Sequence, residues 1–273
     1  MKRYYFCSIL LAFTFSLSSL SAQEVFKNED LSISKLKDKV WVVETTDMTT
    51  MYIIEGEDKA MLIDTGTDCK ALDQVVRRIT QKPLYVVLTH NHPDHAGNIY
   101  YFDEIYMHPN DTAIHLGNDE YKGKIHFVKE GDVFDLGGIK LDVYLMPGHT
   151  PGSIILVDKA SGICYSSDAF GSGAVWLQLQ PNTPMSIYLQ SCERMAQIME
   201  EQGITEIYCG HYPYLKRALG KDYISQMTTL ARKLANGDTS GAKEYTGPKI
   251  GCDNPMVVSE GFVSIVYDPE TIK

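Results

Sequence analysis

The sequence is poor in several features that would each have pointed to a class of protein. Cysteine is sparse and unpatterned. Of six, Cys7 stands in the first apolar run. Cys69, Cys164, Cys192, Cys209 and Cys252 leave an odd number with no C-x-x-C pair. That excludes a disulfide-dense framework and a structural zinc knuckle. Cys164 and Cys209 lie in apolar, strand-like runs, where a free thiol acts as a small buried hydrophobe. Positive charge is also scarce. Lys and Arg number 25 against 35 Asp and Glu, a formal net charge of −10. No basic stripe or cluster appears, which argues against nucleic acid as a partner. No G-x-S-x-G elbow occurs, because Gly171-Ser172-Gly173 has the wrong spacing, so a serine nucleophile of that kind is not expected. Beyond the first twenty or so residues no run is long and apolar enough to span a bilayer. Repeats, low-complexity tracts and linkers are missing too, which leaves one sizeable domain with a full core.

The N-terminus has its own pattern. Lys2 and Arg3 precede an apolar run over residues 4–20, and small residues close it at Ser21-Ala22. A basic start, a short apolar run and a small-residue end read as a secretory signal peptide over residues 1–22. Cys7 lies too early to be a lipid-attachment site. The run is shorter than the ~20 residues of a spanning helix, so no stable membrane insertion is expected after cleavage. The mature domain would then cover residues 23–273, carry −12 without Lys2 and Arg3, and be exported, periplasmic or secreted. Oligomeric state has no signature in the sequence.

Along that domain, residues 23–39 read as a polar stretch. Runs at 40–44, 51–55 and 59–63 read as strands, rich in Val, Ile and aromatic residues. Asp64-Thr65-Gly66 ends the third. Leu72, Val75, Val76 and Ile79 share one face of a helix expected over 71–80. Residues 85–89 form a buried strand, followed by a loop over 90–94 and a helix starting near His95. Strands are expected at 128–136, 139–146, 153–158, 162–167 and 205–209, with helices at 184–202 and 222–235. One or two strands close the chain over 257–267. Two runs of β, each with helices, suggest two sheets covered by outer helices.

Ligand-type side chains fall at the ends of these strands. Thr89-His90-Asn91-His92-Pro93-Asp94-His95 places three histidines and an aspartate within six positions. His90 and His92 share a face of an extended segment, since alternate side chains point the same way. His149 sits in the turn Pro147-Gly148-His149-Thr150-Pro151-Gly152, Asp168 ends one strand, and His211 ends another after Gly210. Loops from separate strands can bring such residues together. Imidazole and carboxylate donors suit zinc, and also iron or manganese. Taken alone, His149 and His211 would be ordinary turn histidines, and Asp168 would only cap a turn. Their order and setting are what single them out.

The H-x-H-x-D-H loop, the later P-G-H-T-P-G, the Asp and the final Gly-His resemble the ordered motifs of metallo-β-lactamase-fold hydrolases, over roughly residues 40–214. The resemblance implies an α/β fold, an αββα sandwich of two mixed β-sheets flanked by helices. It implies two divalent metal ions, zinc before iron or manganese. One would be held by His90, His92 and His149, and the other by Asp94, His95 and His211, with Asp168 bridging. Asp64 would steady a ligand histidine from behind. Two metals a few ångströms apart can share a hydroxide that attacks a carbonyl, with Asp94 orienting it and moving a proton.

Other candidates carry no motif. Trp176, Tyr212 and Tyr214 stand where they could wall a pocket for a small-molecule substrate. Lys216, Arg217 and Lys221 could bind a substrate carboxylate or simply face solvent. For His108, His115 and His126 a surface or packing role is the expectation. The fold family hosts many chemistries. An esterase, lactonase or thioesterase leads if Asp168 bridges. A β-lactamase resembling the third subclass of metallo-β-lactamases follows. A glyoxalase II-like thioesterase, a di-iron redox protein and a non-catalytic binder trail behind.

Overall fold

The structure is a computed structural model that describes residues 23–112 and 121–271. The expected signal peptide and His115 lie outside the described residues.

Strands begin earlier than the polar composition of residues 23–39 suggested. β1 (Gln23–Lys27) and β2 (Leu31–Lys37) open the fold, and Leu31 and Ile33 are buried while their serine and lysine neighbours are not. β3 (Val40–Thr45), β4 (Thr50–Glu55) and β5 (Ala60–Ile63) continue as an antiparallel meander. Helix α1 is shorter than its apolar stripe, running Leu72–Val76, with residues 77–79 continuing as tighter turns. β6 (Leu84–Val87) pairs parallel to β5, the short helix α2 (Pro93–Ala96) follows its loop, and β7 (Glu104–Met107) and β8 (Lys124–Phe127) complete an eight-stranded sheet. The single strand expected at 128–136 is not there. Residues 128–132 turn between the sheets, with Gly131 at φ +84°, and only β9 (Val133–Asp135) is extended.

The second sheet contains β9, β10 (Lys140–Leu145), β11 (Ile154–Asp158) and β12 (Ile163–Ser167). β13 (Ala174–Trp176) and helix α3 (Met185–Gln202) come next, and β14 (Glu206–Cys209) then joins β12 in parallel at the end of that sheet. Helix α4 (Lys221–Ala235) precedes β15 (Lys243–Glu244), β16 (Met256–Glu260) and β17 (Val263–Tyr267). The closing strands belong to a third sheet, ordered β13-β17-β16-β15, which adds to the two the sequence suggested.

Period-2 burial sorts the side chains into layers. Val42, Tyr52, Ile54, Met61 and Ile63 point inward and meet Leu141, Val143, Ile154, Leu156 and Tyr165 of the facing sheet. Their sequence neighbours Val43, Met51, Ile53 and Leu62 point outward and pack on Leu72, Val75 and Val76 of α1. On the other side Ile155, Val157, Cys164 and Ile207 pack on α3, α4 and the third sheet. The order is therefore helix, sheet, sheet, helix, as expected, with the small sheet sharing the outer layer. The five described cysteines are free thiols, four of them buried. Among the described residues no helix is long and apolar enough to cross a membrane.

Candidate metal centre

The two large sheets meet along one edge. There Ile154 N–H donates to the Thr89 carbonyl at 2.9 Å and Thr50 N–H to the Gly210 carbonyl at 2.7 Å. These contacts set the loop after β6, the turn between β10 and β11, and the ends of β12 and β14 beside one another. All seven expected ligand residues lie here, in two sets whose ligand atoms fall within 4.8 Å of one another: His90, His92 and His149, and Asp94, His95, Asp168 and His211.

Ring orientations follow from what each histidine touches behind it. His149 Nδ1 lies 2.8 Å from the Trp176 carbonyl, and His211 Nδ1 lies 3.1 Å from the Met48 carbonyl. A carbonyl only accepts, so each Nδ1 carries the proton and each Nε2 turns into the site. His95 Nδ1 lies 3.0 Å from Asp64 Oδ2. His90 Nδ1 lies 3.2 Å from the Thr89 hydroxyl, which itself donates to Asp64. His92 is the exception, since its Nδ1 faces His149 Nε2 at 2.9 Å. Behind this cluster Asp64 gathers several hydrogen bonds besides that of His95. Its carboxylate, with the backbone at φ +61°, also receives Thr89 N–H at 2.7 Å and the Ser167 hydroxyl at 2.9 Å. Gly210 is dictated by proximity: a Cβ there would stand 2.2 Å from Asp168 Oδ1 and 2.7 Å from His95 Cε1.

The sets differ in charge. Burial, then the neighbouring imidazoles, holds His90 well below the ordinary histidine range; burial and His149 do the same to His92, and burial lowers His149. In the other set burial works against ionisation everywhere and is outweighed. Asp94 and Asp168 drive His95 up, and Asp168 then Asp94 drive up His211. The same imidazoles pull both carboxylates down. Asp168 is central to the whole. Its Oδ2 lies 3.2 Å from His211 Nε2, 3.6 Å from His95 Nε2 and 3.8 Å from His149 Nε2.

A cation fits these residues. His90 Nε2, His95 Nε2 and Asp168 Oδ1 are buried without a hydrogen-bond partner. Buried polar atoms are otherwise nearly always satisfied, so these three are open to a cation.

Of the expected pocket residues, Trp176 is half-buried, and its ring meets Tyr245 edge-on with centroids 6.1 Å apart. Tyr214 is 63% exposed, 5.9 Å from the His211 ring. Tyr212 instead packs on Tyr208 and on the apolar clusters of both faces of the second sheet. Arg217 lies over the Phe262 ring. His126 pairs with Glu104 and stacks on Tyr106, while His108 accepts from Asn110 N–H. Sequence reasoning missed two residues. Tyr245, directly after β15, meets the Trp176 ring. Asp111, 1% exposed, follows β7 and joins two ligand loops. No motif marks either.

The family model of the metallo-beta-lactamase superfamily matches residues 45–211. The acyl-coenzyme A thioesterase MBLAC2 of Gallus gallus is 26% identical over 232 residues, which span 71% of this chain and 83% of that protein. A hydroxyacylglutathione hydrolase of Idiomarina loihiensis is 27% identical over 172 residues, 63% of this chain and 60% of its own length. A solved metallo-beta-lactamase from Pontibacter korlensis shares the fold at a TM-score of 0.57 and 17% identity, over 74% of this chain and 99% of that one.

Proposed function

Because the chain belongs to the metallo-beta-lactamase superfamily, we propose that it is an exported two-metal hydrolase of small acyl compounds, thioesters before esters and lactones. The observation that carries this reading is the single Asp168 oxygen set within 3.2–3.8 Å of histidines from both sets, from where it could serve a cation in each. His90, His92 and His149 would hold one cation. Asp94, His95 and His211 would hold the other. The mixed imidazole and carboxylate donors suit zinc first, with iron or manganese as alternatives. When bound, the cations supply Lewis acidity, which makes water acidic enough to attack near neutral pH and polarises the acyl carbonyl.

The chain's own residues do the rest. Asp94 has the most exposed side chain of the cluster, at 38%, so it is the carboxylate most open to an incoming water and the one that would take its proton. A thiolate leaves without being protonated first, because thiols ionise near pH 8.5; one carboxylate beside the site is then enough. The Trp176 backbone carbonyl holds His149, its ring meets Tyr245, and Tyr214 lies beside His211; these aromatic side chains would suit an apolar acyl group. One relative is named for acyl-coenzyme A and another for hydroxyacylglutathione, acyl groups carried on sulfur. Placement outside the cytoplasm rests on residues 1–22 alone, and an intact Met1 on the native protein by N-terminal mass spectrometry would refute it.

The test is a hydrolysis screen of the zinc-loaded mature chain against acyl thioesters, lactones and β-lactams. Turnover of thioesters is expected. Turnover of β-lactams alone would replace this reading by the β-lactamase one.

A further inference from the structure

Among the described residues, Asp111 is a buried carboxylate that bonds to no side chain of the seven candidate ligands and pairs with no Lys or Arg. It closes a 3-10 turn after β7, the strand beside β6 in the first sheet. Its Oδ2 receives Asn91 N–H at 3.1 Å and the Thr150 hydroxyl at 2.8 Å, and its Oδ1 receives Gly152 N–H at 2.5 Å. The Asn91 amide returns a bond to the Asp111 carbonyl at 3.2 Å. Asn91 stands between His90 and His92, and Thr150 follows His149. Gly152 allows the approach, since a Cβ there would fall 2.4 Å from Asp111 Oδ1. Ser153 extends the network, with its hydroxyl 2.8 Å from that of Thr150.

We infer that Asp111 is a positioning residue for the three-histidine set: it ties the His90–His92 loop to the His149 turn and so fixes the spacing of the three imidazoles. The inference rests on the reading that these histidines hold a metal. Its physical ground is that, among the described residues, this carboxylate alone spans the two loops with bonds from both. A buried carboxylate facing only neutral donors is costly. An apolar contact would join the loops as firmly but would not set the direction of the Asn91 and Gly152 amides. Hydrogen bonds are directional where packing is not.

Asp111→Asn separates these jobs. Its oxygen can still accept from Gly152, and its amide can donate to the Thr150 hydroxyl, but the amide now faces Asn91 N–H and that tether is lost. The enzyme is loaded with zinc and challenged with a competing chelator; a cobalt-loaded sample reports ligand geometry by its visible absorption. The expected result is a 10–100-fold weaker zinc site at the three histidines, the range for groups that orient metal ligands, with a shifted cobalt spectrum. Thr150→Val and Thr150→Ser guard against a variant that fails to fold. Thr150→Ser, which keeps the hydroxyl, should restore the zinc affinity that Thr150→Val loses. Unchanged zinc affinity and cobalt spectrum in both Asp111→Asn and Thr150→Val would overturn the inference alone. A wild-type chain that takes up no zinc would overturn it together with the metal-centre reading.

Discussion

The two halves of the candidate centre are built from similar side chains and behave differently. His90 and His149 are 2% and 3% exposed, and burial together with neighbouring imidazoles keeps that set neutral. Across Asp168, the side chains of Asp94 and His211 are 38% and 22% exposed, and carboxylates and imidazoles there hold each other charged. Their supports differ as well. Asp64 grips His95 directly, whereas Asp111 reaches the three histidines only through the backbone and Thr150. A sequestered neutral cage accepts a cation with little proton release. An open, charged one must shed protons first, and it is the side a substrate can approach.

The comparison breaks most sharply if the neutral cage is dispensable. His149→Ala removes one of its three donors, and hydrolysis should fall by more than about 100-fold, since even orienting groups cost that much. Elemental analysis should read about two metals per wild-type chain and fewer in this variant. A wild type holding less than one equivalent, with none regained on zinc addition, would end the two-metal reading.

Asp168→Ala tests whether the halves share a ligand. If its oxygen bridges them, metal should be lost mainly from the charged half and turnover should drop about 100-fold or more. A fully metallated, active variant would leave Asp168 as a mere neighbour and move the β-lactamase reading ahead of the thioesterase one. Asp64→Asn should cost less, about 10–100-fold in metal affinity, because the amide can still accept from Thr89 but no longer offers His95 a charged acceptor. Equal loss of metal from both halves, measured by chelator competition, would show that the supports are not separate.

This asymmetry was only half visible in the sequence. The clustering of the seven residues could be read because a short H-x-H-x-D-H loop and strand-ending Asp and Gly-His leave a local trace. Asp64 entered only through the resemblance, whose first motif Asp64-Thr65-Gly66 matches. Asp111 could not be read: its partners are two backbone N–H groups and a hydroxyl from segments 20 and about 40 residues away, and such contacts leave no spacing behind. Tyr245 escaped for a similar reason, since the third sheet is what brings it to Trp176. In the fold, the alternation of Leu31 and Ile33 was present but lay within a polar stretch. The segment over 128–136 read as one strand because its apolar residues are contiguous, although Gly131 and Asp132 turn it from one sheet to the other. Tyr212 followed His211 in sequence, yet the turn after β14 sends it to Tyr208 instead.

The smallest effect expected bears on the weaker support and is one of stability, not rate. Burial pushes the Asp111 carboxyl up to about 6, against the opposing bonds from Thr150, Asn91 and Gly152. A carboxyl raised in the folded state above its unfolded value of about 4 favours folding when protonated. Its contribution is therefore complete below about pH 4 and is lost as the pH rises through about 6. Two units correspond to at most about 3 kcal/mol, or several degrees of Tm for a domain of this size. Asparagine does not titrate. Whatever constant offset Asp111→Asn brings from its lost Asn91 bond, the Tm difference between variant and wild type should drift in the variant's favour from pH 4 to pH 7 and level off above. Chelator present throughout keeps metal release from adding its own slope. Parallel pH curves for the two proteins would mean that the carboxylate is not strained by its burial. If the drift is seen while Asp111→Asn also weakens the zinc site, the neutral half of the centre is held in place by a group that costs the fold stability at neutral pH.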